Sequence, residues 1–147
     1  MGSVQTSTPQ QRIGAEIHRH GPGPLAAACV ALLRGRPQEV SDALLIVLGG
    51  ESARTVLDGD AGGLSGYWPR VWAARTLLHA WDPAAAGVLT EATHDEAWRV
   101  REMAAKVIAR HQLGDALDAV IMLRDDPVER VRAAATRAVT VLTAASA

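Results

Sequence analysis

Two stretches of this chain repeat each other. Asp95-Glu-Ala-Trp-Arg-Val-Arg-Glu-Met-Ala-Ala105 aligns with Asp126-Pro-Val-Glu-Arg-Val-Arg-Ala-Ala-Ala-Thr136, an offset of 31 residues. Both copies carry an Asp, then Arg-Val-Arg, then small apolar residues. Self-similarity at such a period marks stacked supersecondary units, because one unit of that length cannot bury its apolar face alone. A looser copy lies upstream, where Arg70-Val71-Trp72 precedes Arg99-Val100-Arg101 by 29 residues.

Each copy reads as a helix. Val100, Met103, Ala104, Val107 and Ile108 share one face, as do Val131, Ala134, Ala135, Ala138, Val139 and Leu142. That is the spacing of an amphipathic helix. Asp95 and Asp126 stand where N-caps are expected, and Pro127 suits a first helical position. Shorter helices are predicted ahead of them, over 83–93 behind Asp82 and over 115–124 behind Gly114. The unit is a helical hairpin of about thirty residues. Composition agrees: Phe is absent, Tyr67 is the single tyrosine and alanine dominates the 48% hydrophobic residues. Alanine favours helices that approach closely, since it loses no side-chain entropy there.

The chain resembles the HEAT-repeat superfamily, in particular the short HEAT-like repeats of phycobilin lyases. The resemblance rests on Asp95…Val100-Arg101…Ala104-Ala105 and Asp126…Val131-Arg132…Ala134-Ala135. It implies an all-α fold, an α-α superhelix. It also implies that Asp95, Arg101, Asp126 and Arg132 form a ladder between neighbouring turns. In the loose upstream copy Gly66 stands for the Asp and Trp72 for the Arg, so the ladder is expected to stop there. The superfamily hosts scaffolds, lyase subunits and DNA glycosylases alike, so the fold does not fix the activity.

The expected organisation is one domain over residues 1–147. Residues 1–8 read as a flexible tail; a formal myristoylation pattern, Met1-Gly2…Thr6, is the weaker reading of it. Residues 9–35 form an N-terminal helical cap of two helices, broken at Gly21-Pro22-Gly23-Pro24. Residues 38–81 form an atypical repeat with a long Gly-rich loop over 49–66, and 82–112 and 113–144 are regular repeats. The loop holds six glycines with Asp58 and Asp60. Loops of that length in compact domains are usually functional or disordered.

Two sets of side chains are candidate binding residues. On a helix expected over 67–81, Trp68, Trp72, Arg75 and His79 form a stripe beside an apolar face of Tyr67, Val71, Ala74, Leu78 and Trp81. Trp and Arg are enriched at binding hot spots. The competing reading packs the Trp residues under the loop and pairs Arg75 with a loop carboxylate. The second set is Trp98, Arg101 and Arg132, with Trp72 aligned to the two arginines; rows of Arg and Trp suit an acidic peptide or a nucleic-acid backbone. The competing reading there is the structural ladder with a solvated surface.

Other chemistry is not indicated. His18, His20, His79, His94 and His111 lack metal-ligand spacing, and Asp58-Gly59-Asp60 lacks the other positions of a calcium loop, so no metal and no cofactor is expected. No phosphate loop, nucleophile elbow or thiol pair occurs. Cys29 is the single cysteine; it reads as inert core and favours a reducing cytoplasm. No apolar run is long enough for a membrane span. Arginine outnumbers lysine with Lys106 alone, as in proteins of GC-rich bacteria. The net charge of −1 disfavours nucleic acid as a partner. The leading expectation is a non-catalytic protein–protein interaction scaffold. The alternatives are a nucleic-acid-binding protein resembling the HEAT-like DNA glycosylases, and a small-molecule or enzymatic pocket under the 49–66 loop.

Overall fold

The computed structural model describes residues 7–146, and these are all-helical. Nine α-helices occur among them: α1 Pro9–His20, α2 Pro22–Leu33, α3 Asp42–Gly49, α4 Glu51–Leu57, α5 Trp68–Thr76, α6 Ala86–Ala92, α7 Trp98–Arg110, α8 Leu117–Leu123 and α9 Glu129–Ala145. Short 3-10 turns lead into α3, α6 and α8. Most of the expected N-terminal tail lies outside the described residues.

Local signals account for some helix ends. Thr8 and Gln11 form a reciprocal capping box at α1, and the Ser41 hydroxyl accepts from Leu44 N at α3. The expected break over residues 21–24 is shorter in the structure. Gly21 alone turns the chain, at φ 76°, and Pro22-Gly23-Pro24 already belong to α2. Proline is compatible with a first helical turn because its missing N–H would have no partner there. Asp95 and Asp126 sit further upstream than N-caps. Their carboxylates accept from Ala97 N and Val128 N, and the helices start one residue later. These are Asx turns that aim the carboxylates at the neighbouring repeat.

The packing is that of a HEAT-like solenoid. α5, α7 and α9 pack in sequence as a row, with α6 against α7 and α8 against α9. α2 packs along α5 and also meets α6, so it stands ahead of α6 and α8 in the outer row. α3 lies instead against α1 and α5.

Burial fixes the register between repeats, and it corrects the 29-residue alignment upstream. At a constant step of 31, Ala73, Ala104 and Ala135 coincide, and each has 0% exposure. Pro69, Val100 and Val131 are buried together, as are Thr76, Val107 and Ala138. Alanine at the tightest positions lets the helix axes approach, while Leu77, Leu89, Val107 and Ile108 fill the layers between them. Trp72 is therefore aligned with Met103 and Ala134, and it is Arg70 that matches Arg101 and Arg132.

Two further expectations change in the upstream hairpin. The helix expected over 67–81 ends at Thr76, whose hydroxyl donates back to the Trp72 carbonyl at 2.8 Å. Leu78 N and His79 N then bond to Arg75 O and Thr76 O, which tightens the chain into turns. The 49–66 segment is not one open loop. Gly50, at φ 62°, separates α3 from α4, and only the stretch from Asp58 to Tyr67 is irregular.

Candidate functional site

The ladder residues are drawn into the framework. Arg101 grips Asp126 of the next repeat with two hydrogen bonds, Nε at 2.7 Å and Nη2 at 3.2 Å. Its Nη1 donates to the Asp95 and Glu96 carbonyls of its own repeat. Arg70 grips Asp95 in the same way, at 2.7 and 3.1 Å. The ladder therefore continues upstream, through Arg70 rather than Trp72. Arg132 donates to the Asp126 carbonyl at 2.8 Å. Burial alone would push the Asp126 carboxyl up. The Arg101 hydrogen bond, the Val128 N–H and the charges of Arg101 and Arg132 outweigh that and hold it below the usual carboxylate range.

Trp98 belongs to a stack that crosses the repeats. The Arg99 guanidinium lies 4.4 Å from the Trp98 ring and 5.5 Å from the Trp68 ring, and Arg130 lies 5.4 Å from Trp98. Alternating rings and guanidiniums are attracted through the ring quadrupole. Arg130 also pairs with the buried Glu102 at 2.9 Å. This face is half-buried and largely satisfied.

The stripe on α5 is divided by the early end of that helix. His79 falls beyond it and is exposed. Trp72 is buried, with its ring against the end of α3; a Cβ at Gly49 would stand 2.7 Å from that ring. Trp68 and Arg75 stay together. They line a cleft of about 370 Å³ whose other walls include Arg12 of α1 and Ser52 and Thr55 of α4. Arg75 pairs with no carboxylate among the described residues. Its Nη2 donates to the Leu48 carbonyl at 2.7 Å, and its Nε is buried without a hydrogen-bond partner. Arg12 donates from Nε to the Val47 carbonyl at 2.9 Å. A Cβ at Gly50 would stand 2.8 Å from the Arg12 guanidinium, so the Gly49-Gly50 pair makes room for both Trp72 and Arg12.

A second recess runs between α7 and α9, about 480 Å³ in volume. Its floor is apolar, formed by Leu78, Ala109, Ala134 and Val141, and its walls carry Lys106, Arg110 and Arg137. Lys106 and Arg137 are one 31-residue step apart, and Arg75 is one step before Lys106. The sequence alone hid this row, because the 29-residue alignment matched Arg75 to buried alanines. Lys106 pairs with Glu102 at 3.2 Å, whereas Arg110 and Arg137 are exposed and make no ion pair among the described residues.

Among the described residues, no three His, Cys, Asp or Glu side chains are placed to hold a metal ion. Cys29 is buried in the core, which pushes its thiol up to about 12. No helix of the described residues is long and apolar enough to cross a membrane.

A family model described as HEAT repeats matches residues 67–140. No curated protein and no solved structure matches the chain.

Proposed function

The chain belongs to the HEAT-repeat family, and we propose that it is a non-catalytic interaction scaffold that holds an acidic segment of a partner protein between α7 and α9. The observation that carries this reading is the cationic row over an apolar floor. A protein of net charge −1 has no global field to set its partners, so local charge matters, and here the exposed Arg110 and Arg137 make no ion pair among the described residues while Lys106 beside them is paired with Glu102. Lys106, Arg110 and Arg137 suit carboxylates, while Leu78, Ala109, Ala134 and Val141 suit one apolar side chain between them. A helical or extended segment alternating Asp or Glu with Leu or Val has that chemistry. Stacked repeats supply such extended surfaces without any reacting group. The reading places the protein in a bacterial cytoplasm, in keeping with its Arg-rich composition and its buried, unpaired Cys29.

The test is a peptide-display selection followed by anisotropy titration. Selected sequences should be rich in Asp and Glu with an apolar residue, and binding should weaken as salt rises. The Arg110→Glu/Arg137→Glu double variant, both positions being exposed, should fold normally and bind at least tenfold more weakly. Selection of neutral sequences, or affinity unchanged in the double variant, would refute the reading. Tighter binding to duplex DNA than to the peptides, with a steep salt slope, would favour the nucleic-acid alternative.

A further inference from the structure

The cleft between α1, α4 and α5 has a composition that the scaffold reading does not use. Two guanidiniums, Arg12 and Arg75, face it, and neither has a carboxylate partner among the described residues. Both residues line this one cleft, and burial lowers the pKa of each, with the charge of Arg12 lowering that of Arg75 further. Both remain protonated at neutral pH. Like charges gathered in a partly buried cleft repel each other and lose hydration. Their bonds to the backbone carbonyls of Ser7 and Val47, from Arg12, and of Leu48, from Arg75, satisfy donors but supply no opposing charge. Ser52 and Thr55 of α4 also line the cleft, exposed and with no side-chain hydrogen bond to the described protein. Trp68 adds an aromatic wall; Arg99 and Tyr67 already support its ring, at 5.5 and 5.1 Å.

We propose that this cleft is a binding site for a small phosphate monoester carrying a planar ring. The donor set selects phosphate over carboxylate. A carboxylate brings one negative charge to the two guanidiniums, whereas a phosphate monoester brings close to two, on three acceptor oxygens. The cleft volume of about 370 Å³ lies within the range of small-molecule pockets. The ring stacks on Trp68 and the phosphate spans Arg12 and Arg75. The site is independent of the α7–α9 recess, and either can fail without the other.

The test is calorimetric and fluorescence titration of the full chain with phenyl phosphate, using inorganic phosphate and phenol as the two halves of the probe. Phenyl phosphate should bind saturably and change Trp emission; inorganic phosphate should compete more weakly and phenol should not bind. Arg75→Gln should weaken binding roughly 10- to 100-fold, the worth of one charged hydrogen-bonding group. If Arg75→Gln fails to fold, Ser52→Ala/Thr55→Ala changes only exposed hydroxyls and should still cost several-fold. Arg110→Glu/Arg137→Glu should leave phenyl phosphate binding unchanged. Absence of saturable binding, equal affinity for phenol, or affinity unaffected by the cleft variants would overturn the proposal.

Discussion

Replacing Asp126 by Ala removes one side of the most buried ion pair in the repeat. The carboxylate is 5% exposed and Arg101 is 15% exposed, and two short hydrogen bonds join them. Breaking a buried pair by deleting one partner costs about 3–5 kcal/mol, because the remaining charge stays desolvated. Arg101 retains its bonds to the Asp95 and Glu96 carbonyls and a little solvent, which favours the lower end of that range. Loss of the bond to Val128 N, at 2.9 Å, adds about 0.5–1.5 kcal/mol. A loss of about 4 kcal/mol is expected, against a total stability of about 5–15 kcal/mol for a domain. In a chain of this size that lowers Tm by roughly 10 °C. Urea and thermal unfolding followed by helical circular dichroism measure both. The Arg101→Met/Asp126→Ala double variant removes the stranded cation and should recover a large part of the loss. A single-variant loss below about 1 kcal/mol, the range of an exposed pair, would refute the claim that the ladder is a buried structural element.

Acid titration should show the same carboxylate from another side. The folded pKa of Asp126 lies below its unfolded value, so its contribution is complete above about pH 5 and is lost as pH falls through the folded value; Asp126→Asn should show a flatter acid limb in a stability-versus-pH series. Gly49→Ala would place a methyl 2.7 Å from the Trp72 ring and should destabilise by about 1–3 kcal/mol with altered Trp emission. Gly87→Ala, within α6 and with nothing inside 4 Å, should instead stabilise by about 0.5–1 kcal/mol in the same unfolding assay. The Cys29 thiol, fully buried, should stay silent to a disulfide reagent at pH 8 in the native protein and react once urea unfolds it.

The repeat was legible where burial demands are strongest. Val100 with Val131 and Ala104 with Ala135 announce one unit stacked on another, because only small or branched apolar residues fit a layer shared by two helices. Upstream, the Arg-Val dipeptide suggested a two-residue slip that burial contradicts. Arg70 is followed by a valine, but the residue filling the layer of Val100 is Pro69. A pattern match weighs letters, whereas packing weighs which face each residue occupies. The end of α5 at Thr76 was hidden for a related reason. Its hydroxyl bonds to a carbonyl within the helix, and no glycine or proline marks the stop. The cleft was half legible. Trp68 and Arg75 stood out by residue type and spacing, while Arg12, Ser52 and Thr55 come from elements distant in sequence. The one local trace of Arg12 is the Gly49-Gly50 pair that lets it approach.

An amide chemical-shift titration of the isotope-labelled protein with a selected acidic peptide bears most directly on the role assigned to the α7–α9 recess. Shifts should concentrate on Leu78, on Met103 to Arg110 and on Ala134 to Val141, and should vanish in Arg110→Glu/Arg137→Glu. Shifts confined to the outer row of α2, α6 and α8, or spread evenly without saturation, would contradict it.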